Sequence, residues 1–144
     1  MGDLILLVHT GSTLSMCGLI WFVQIVHYPL FASVGRDEFA RYESEHGRRT
    51  LWVVGPLMIA EGITASWLLA FPPLGYDRAI PLTGFVLLLL IWVSTAVLQV
   101  PAHMRLAHGF FPDQHRRLTR TNWIRTILWS CRALIALWMV RSGA

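Results

Sequence analysis

The sequence predicts an all-α integral membrane protein, a four-helix bundle with both termini outward and a short interfacial helix after the first span. Three observations carry that prediction. The 144 residues are 55% hydrophobic with a mean hydropathy of +0.53. Only 14% are charged, where a soluble domain carries roughly a quarter. That charge is bunched between long apolar runs rather than spread along the chain. The seven tryptophans fit the enrichment of amphipathic aromatics at membrane interfaces. The whole chain, 1–144, reads as one transmembrane domain with no separate soluble part, no internal repeat and no low-complexity segment.

Four runs approach the ~20 residues that a bilayer core requires. The first spans Leu4 to Val26 and continues as helix to near Tyr28 and Pro29. Its amino-terminal residues lack a basic region and include Asp3, so they read as the start of a retained span, not a signal peptide. Arg36 to His46 follows, with Phe39 and Tyr42 three apart among charges, the pattern of an interfacial helix. The second span runs from Leu51 to Phe71, and a turn-rich loop, Pro72 to Pro81, leads to the third, Leu82 to Val100. The third helix is expected to pass Pro101 and reach His108. Gly109 to Pro112 then turns the chain, and Asp113 caps a helix entering the fourth span, Trp123 to Val140.

Arginines set the orientation. Arg36, Arg41, Arg48 and Arg49 follow the first span, and Arg105, Arg116, Arg117 and Arg120 follow the third, with Arg125 just inside the membrane. The other side has Arg78 and Arg141, so the two arginine-rich loops are expected in the cytoplasm. The net charge of +4 and pI near 9.8 are thereby explained by topology, and nucleic acid is excluded as a partner. Cys17 and Cys131 fall inside apolar spans without a CxxC pair and read as buried packing thiols, not a disulfide. Gly11 with Ser15, and Gly62 with Ser66, have the small-xxx-small spacing of close helix contacts.

Polar residues inside the spans are the candidate site. On the fourth span Asn122, Arg125, Trp129 and Arg132 recur at spacings of three and four, one polar stripe that must face the bundle interior. Arg125 with Asn122 suits a carboxylate, carbonyl or enolate oxygen. Glu61 and Arg132 lie about ten residues in from the cytoplasmic ends, ~15 Å at the helical rise, and equal depth predicts an ion pair. That pair reads either as a fixer of helix register or as the floor of a ligand pocket. Gln24 and His27 on the first span, with Gln99 and His103 on the third, place two amides and two imidazoles at the cytoplasmic level, where His46 could close over them. His27 and His103, on different helices, could hold haem, or with Glu61 a metal ion. They could equally be hydrogen-bonded structural residues. His9, without an obvious partner, reads as packing or a lone site, and His108 and His115 as solvated loop residues.

The segment Asn122-Trp-Ile-Arg-Thr126, preceded by Arg116-Arg-Leu, resembles a Trp/Asn-x-x-Arg-Thr signature. That signature belongs to a bacterial family of small four-helix membrane proteins of unknown function grouped with fungal anthrone oxygenases. Leu98-Gln-Val-Pro-Ala-His103 is similar to that family's third-helix motif, in which Asn precedes x-Pro-x-Asn-Asp. Phe22 to Pro29 and Gly55-Pro-Leu57 fall where the family has a polar-then-proline turn and a Gly/Ala-Pro. Gln99 and His103 replace two of its asparagines, and Met104 stands where it has an acidic residue. The resemblance implies a multi-pass protein of the bacterial plasma (inner) membrane. It also implies a cavity for a flat lipophilic substrate that oxygen converts from anthrone to anthraquinone. A looser likeness, through His9, Arg49-Thr-Leu and Pro56-Leu-Met, is to four-helix haem-containing protoporphyrinogen oxidases, whose lysine-bearing third-helix motif is absent here.

Three functions follow. The first is an oxidoreductase on a lipophilic, enolisable small molecule. In it His27, His103 and Arg125 are catalytic, and Gln24, Gln99, Asn122, Trp129, Glu61 and Arg132 contact substrate. The second is a haem- or metal-binding redox carrier using His27 and His103. The third is a non-catalytic lipophile-binding protein, or a subunit of an oligomer or larger membrane complex, whose partners are membrane lipids.

Overall fold

A computed structural model describes residues 2–72, 75 and 77–143. All regular structure among them is helical, and four helices are long and apolar enough to cross a membrane. We label them α1 (Gly2–Ser33), α2 (Arg36–Ala70), α3 (Ala79–Leu106) and α4 (Pro112–Gly143). Side-chain contacts fix their order and direction. Between α1 and α2, His9 meets Thr64 and His27 meets His46. Between α3 and α4, Gly84 meets Arg132 and Gln99 meets Thr121, and between α1 and α4, Trp21 meets Ser130 and Gln24 meets Asn122. In each pair of helices one number rises as the other falls, so neighbours run antiparallel around an up-down-up-down bundle. Both arginine-rich loops therefore lie at one end, where the His115 imidazole donates to the Tyr28 carbonyl at 2.7 Å.

The helix expected over 36–46 is present, and it is continuous with the second span. Thirty-five residues make α2 about 52 Å long at 1.5 Å per residue, against a hydrocarbon core of ~30 Å. Its first turns therefore project beyond the apolar layer at the arginine-rich end. Phe39, Glu43, His46 and Thr50, spaced by three and four, turn inward there, while Glu45 pairs with Arg48 and Arg49 on the exposed face. Pro56 lies inside α2 without ending it.

Two π-helical turns interrupt the other spans at matching places, Val23–His27 in α1 and Thr95–Gln99 in α3. Each is followed, two residues after its end, by a proline, Pro29 or Pro101. A proline lacks the N–H that a regular turn would use and crowds the carbonyl four residues back. A wider turn relieves both faults and re-aims the side chains it carries. Gln24, His27 and Gln99 are those side chains, so the prolines place the polar groups of the arginine-rich half.

That end is closed by a small aromatic core of Tyr28, Phe31, Phe39, Leu106 and Leu118, with Tyr42 and Phe110 packed against it. Deeper in the bundle, Met16, Ile20, Ile91 and Trp129 form a second core. Gly62 allows α2 and α3 to approach: a Cβ there would stand 2.9 Å from the Trp92 ring. Gly11 and Ser15, by contrast, face outward, and nothing lies within 4 Å of a Cβ built on Gly11, so that pair makes no helix contact within the chain. Both cysteines are free, but Cys131 is exposed on the outer surface of α4 and not a packing thiol. The turn-rich loop before α3 lies partly outside the described residues (Pro73, Leu74 and Tyr76). Gly75 takes a positive φ of 85°, and Asp77 Oδ1 accepts from the Ala79 N–H at 2.9 Å, opening α3 three residues before the apolar run.

Candidate functional site

The polar groups of the spans separate into two layers. The deeper one contains Glu61 and Arg132, which meet at 3.2 Å as their equal depth predicts. Trp129 donates its indole N–H to the same carboxylate, at 3.1 and 3.3 Å to its two oxygens, and Arg132 also donates to the Gly84 carbonyl. Glu61 and Trp129 are fully buried and Arg132 nearly so. A carboxylate taken out of water needs such donors, and here α4 supplies both, while the Gly84 carbonyl of α3 accepts a further hydrogen bond from Arg132. Beside this knot, His9 shares a 3.0 Å hydrogen bond with Thr64, so it has the partner that the sequence did not show. The space next to it, walled by His9, Gly84 and Arg132, is about 10 Å³, too small for an organic molecule.

Gln24 and Asn122 are likewise engaged with one another. Asn122 donates to Gln24 at 2.9 Å, and Gln24 donates to the Thr119 carbonyl at 3.2 Å, tying α1 to α4. Of the six residues expected to contact substrate, Gln24, Asn122, Trp129, Glu61 and Arg132 do not line the large cavity of the bundle. Gln99 does. The reason is the same for all five: in a water-free interior each finds its cheapest partner in another helix. Glu61 is also far along α2 from the histidines, so it is not their companion at a metal.

The upper layer is different. A cavity of about 420 Å³ lies at the arginine-rich half of the bundle, and it contains all three residues expected to be catalytic, His27, His103 and Arg125. Its walls are mainly apolar, and Phe22, Leu51, Val100 and Met104, which line it, are themselves exposed toward the surroundings of the bundle. The volume is in the range that suits a ring-sized organic ligand. A second, more open groove of about 630 Å³ between α2 and α3 holds no titratable side chain and offers no chemistry.

At the polar end of the cavity three imidazoles lie in a row. His46 stands between His27 and His103, with ring centroids 4.5 Å from the first and 5.6 Å from the second. His27 Nε2 and His46 Nδ1 share a hydrogen bond of 2.9 Å, and the Thr50 hydroxyl lies 3.1 Å from that same Nδ1. His46 packs against both of the other rings, so His27 and His103 do not form an isolated ligand pair. His103 Nδ1 is bonded to the Glu43 carboxylate, and its Nε2 to the Tyr28 hydroxyl at 2.9 Å. Tyr28 also interacts with Arg125, whose guanidinium lies over the Trp129 ring at 5.3 Å and so joins the two layers.

Phe31 is the hub of this arrangement. Fully buried, its ring packs within 5.1 to 6.5 Å of His27, His46, His103 and His115. His115 is thus a structural member of the cluster rather than a solvated loop residue, whereas His108 is exposed.

Glu43 is the residue that reading the sequence missed. It is 2% exposed, on the inward face of the α2 extension, and one of its oxygens, Oε2, is buried without a hydrogen-bond partner. One donor atom from each of Glu43, His46 and His103 lies within 4.8 Å of the other two. The signal was present: Glu43-x-x-His46 puts a carboxylate and an imidazole on one helix face, the spacing by which four-helix bundles build metal sites.

Fold and site together define a helical bundle with four helices fit to span a membrane and a mainly apolar cavity ending in a histidine–glutamate cluster. No protein-family model, curated protein or solved structure matches the chain.

Proposed function

We propose that this chain is an oxidoreductase of the plasma membrane, its arginine-rich end in the cytoplasm, acting on a lipophilic, enolisable substrate drawn from the bilayer. The observation that carries this reading is the cavity: apolar walls of about 420 Å³ that end in His27, His103, Gln99 and Arg125. A flat hydrocarbon body would occupy the walls. Its carbonyl or phenolic oxygen would meet the Arg125 guanidinium and the Gln99 amide, donors that favour an oxyanion. An imidazole, His27 or His103, would take the proton from the adjacent carbon. The resulting enolate reacts with dioxygen. Converting the methylene to a carbonyl places one oxygen atom in the product and the other, with both hydrogens, in water, so four electrons leave carbon and four reach oxygen.

The test is turnover in lipid nanodiscs with an anthrone as substrate, followed by quinone absorbance and oxygen uptake. The expected result is one oxygen consumed per quinone at a rate well above empty discs, lost in Arg125→Gln. A rate equal to that of empty discs would remove the reading.

A second reading, a lipophile-binding protein without turnover, is favoured by one fact: five of the nine polar residues expected at the site are spent on one another. Under it an anthrone binds in the same cavity and leaves unchanged.

A further inference from the structure

We propose that Glu43, His46 and His103 bind a divalent transition-metal ion at the end of the cavity. Two imidazoles and one carboxylate on a single face, with the remaining positions open, form the donor set of non-haem ferrous sites, and we assign Fe(II) as the resident ion. The choice of iron rests on the oxygenase reading; the existence of the site does not.

Four observations point to a cation. The three donor atoms are within 4.8 Å of one another, so small side-chain rotations bring them to the roughly 3 Å separations that ~2 Å ligand bonds impose. Glu43 Oε2 is buried and without a hydrogen-bond partner, while the other oxygen of the same carboxylate is bonded to His103. The outer contacts are those that ligating histidines require: His103 is oriented through Nε2 by Tyr28, and His46 is held by His27 and Thr50. Finally, Glu43 and His46 come from one rigid helix and His103 from another, so the metal would staple α2 to α3 where no backbone link joins them nearby.

His103 Nδ1 and the Glu43 carboxylate are hydrogen-bonded to one another. Metal binding would replace that hydrogen bond with two ligand bonds, to the Glu43 carboxylate and to His103 Nδ1, so the dication would meet a carboxylate that is already buried. His27 stays outside the ligand set, in the cavity wall beside His46. It is then the imidazole free to accept a substrate proton, which decides between the two candidates of the preceding section.

The experiment uses the full chain in detergent micelles, stripped with a chelator and loaded anaerobically with Fe(II), or with Cu(II) as a spectroscopic probe. One ion per chain should survive gel filtration, and pulsed electron paramagnetic resonance of the Cu(II) form should count two coordinated imidazoles. Glu43→Gln and His46→Ala should each lower affinity at least ~10-fold, Tyr28→Phe by roughly 10-fold through the lost outer contact, and exposed His108→Ala not at all. Retention by wild type no greater than by Glu43→Gln, or fewer than two imidazoles on copper, overturns the proposal. The imidazole count needs only wild-type protein and stands even where a variant fails to fold. Metal bound without anthrone oxidation leaves the site standing and removes the oxygenase reading. Full oxidation by the stripped protein leaves the oxygenase reading standing and overturns the assignment of iron as the resident ion.

Discussion

Glu61 of α2 and Arg132 of α4 meet at 3.2 Å in the interior of the bundle, both almost completely buried, with the Trp129 indole on the same carboxylate. Removing one partner leaves the other charge stranded, which costs about 3–5 kcal/mol. Arg132→Met and Glu61→Leu are therefore each expected to unfold the bundle at much lower denaturant. The double variant should recover most of the loss. Denaturant titrations in mixed micelles report this, and single variants within 1 kcal/mol of wild type (on the order of an exposed pair) would refute it.

Gln24 and Asn122 are expected to behave as structural residues too. Asn122→Leu leaves the Gln24 amide oxygen without its donor, at about 1–3 kcal/mol, yet should not change the affinity of a lipophile in the cavity. Thermal melting and binding of an aromatic lipophile, measured on the same preparations, separate the two effects. A fall in affinity with unchanged melting would return Asn122 to the binding site.

Arg125 is expected to do the opposite. It lines the cavity, and a charge-assisted hydrogen bond to a phenolate is worth roughly 1.5–3 kcal/mol. Arg125→Gln should weaken binding of an ionised phenolic lipophile by ~10–100-fold and leave binding of a neutral hydrocarbon of the same shape nearly unchanged. Equal losses for both ligands would mean that the side chain only shapes the wall.

Phe31→Ala should damage the histidine cluster as a whole. Deleting a fully buried phenylalanine costs about 3–5 kcal/mol, and here the void opens among four imidazoles. Histidine ring resonances in nuclear magnetic resonance spectra should broaden or shift together for His27, His46, His103 and His115. Movement of only one of them would show that the rings are held independently.

The four spans were legible because burial in lipid leaves little choice: long apolar runs, flanked by arginines, can only be helices. Equal depth made the Glu61–Arg132 pair readable, since two stranded charges have one inexpensive remedy. What could not be read was the partnering of neutral polar groups. Gln24 has several amides and carbonyls at its level, and only helix order chooses Asn122 and Thr119 for it. Glu43 was passed over for a similar reason. In a segment with Glu38, Glu45, Arg41, Arg48 and Arg49 it resembles one more surface charge, and only the continuity of α2 through residue 50 turns it inward. The π turns were foreshadowed by Pro29 and Pro101, but a proline announces a fault in the hydrogen-bond ladder without saying how the chain repairs it.

The length of α2 has a consequence for where this protein works. Its inward carboxylate and imidazole meet His103 near the arginine-rich ends of two helices of unequal length, 35 residues for α2 and 28 for α3. Bilayer thickness therefore sets how far one helix slides past the other. A shift of half a turn, ~2.7 Å, is comparable to a hydrogen bond. Tilting in a thin or thick membrane would pull Glu43 from His103, so acyl-chain length acts as a tuning knob on the cluster. Short-, medium- and long-chain phosphatidylcholine discs should give three different histidine environments from one sequence.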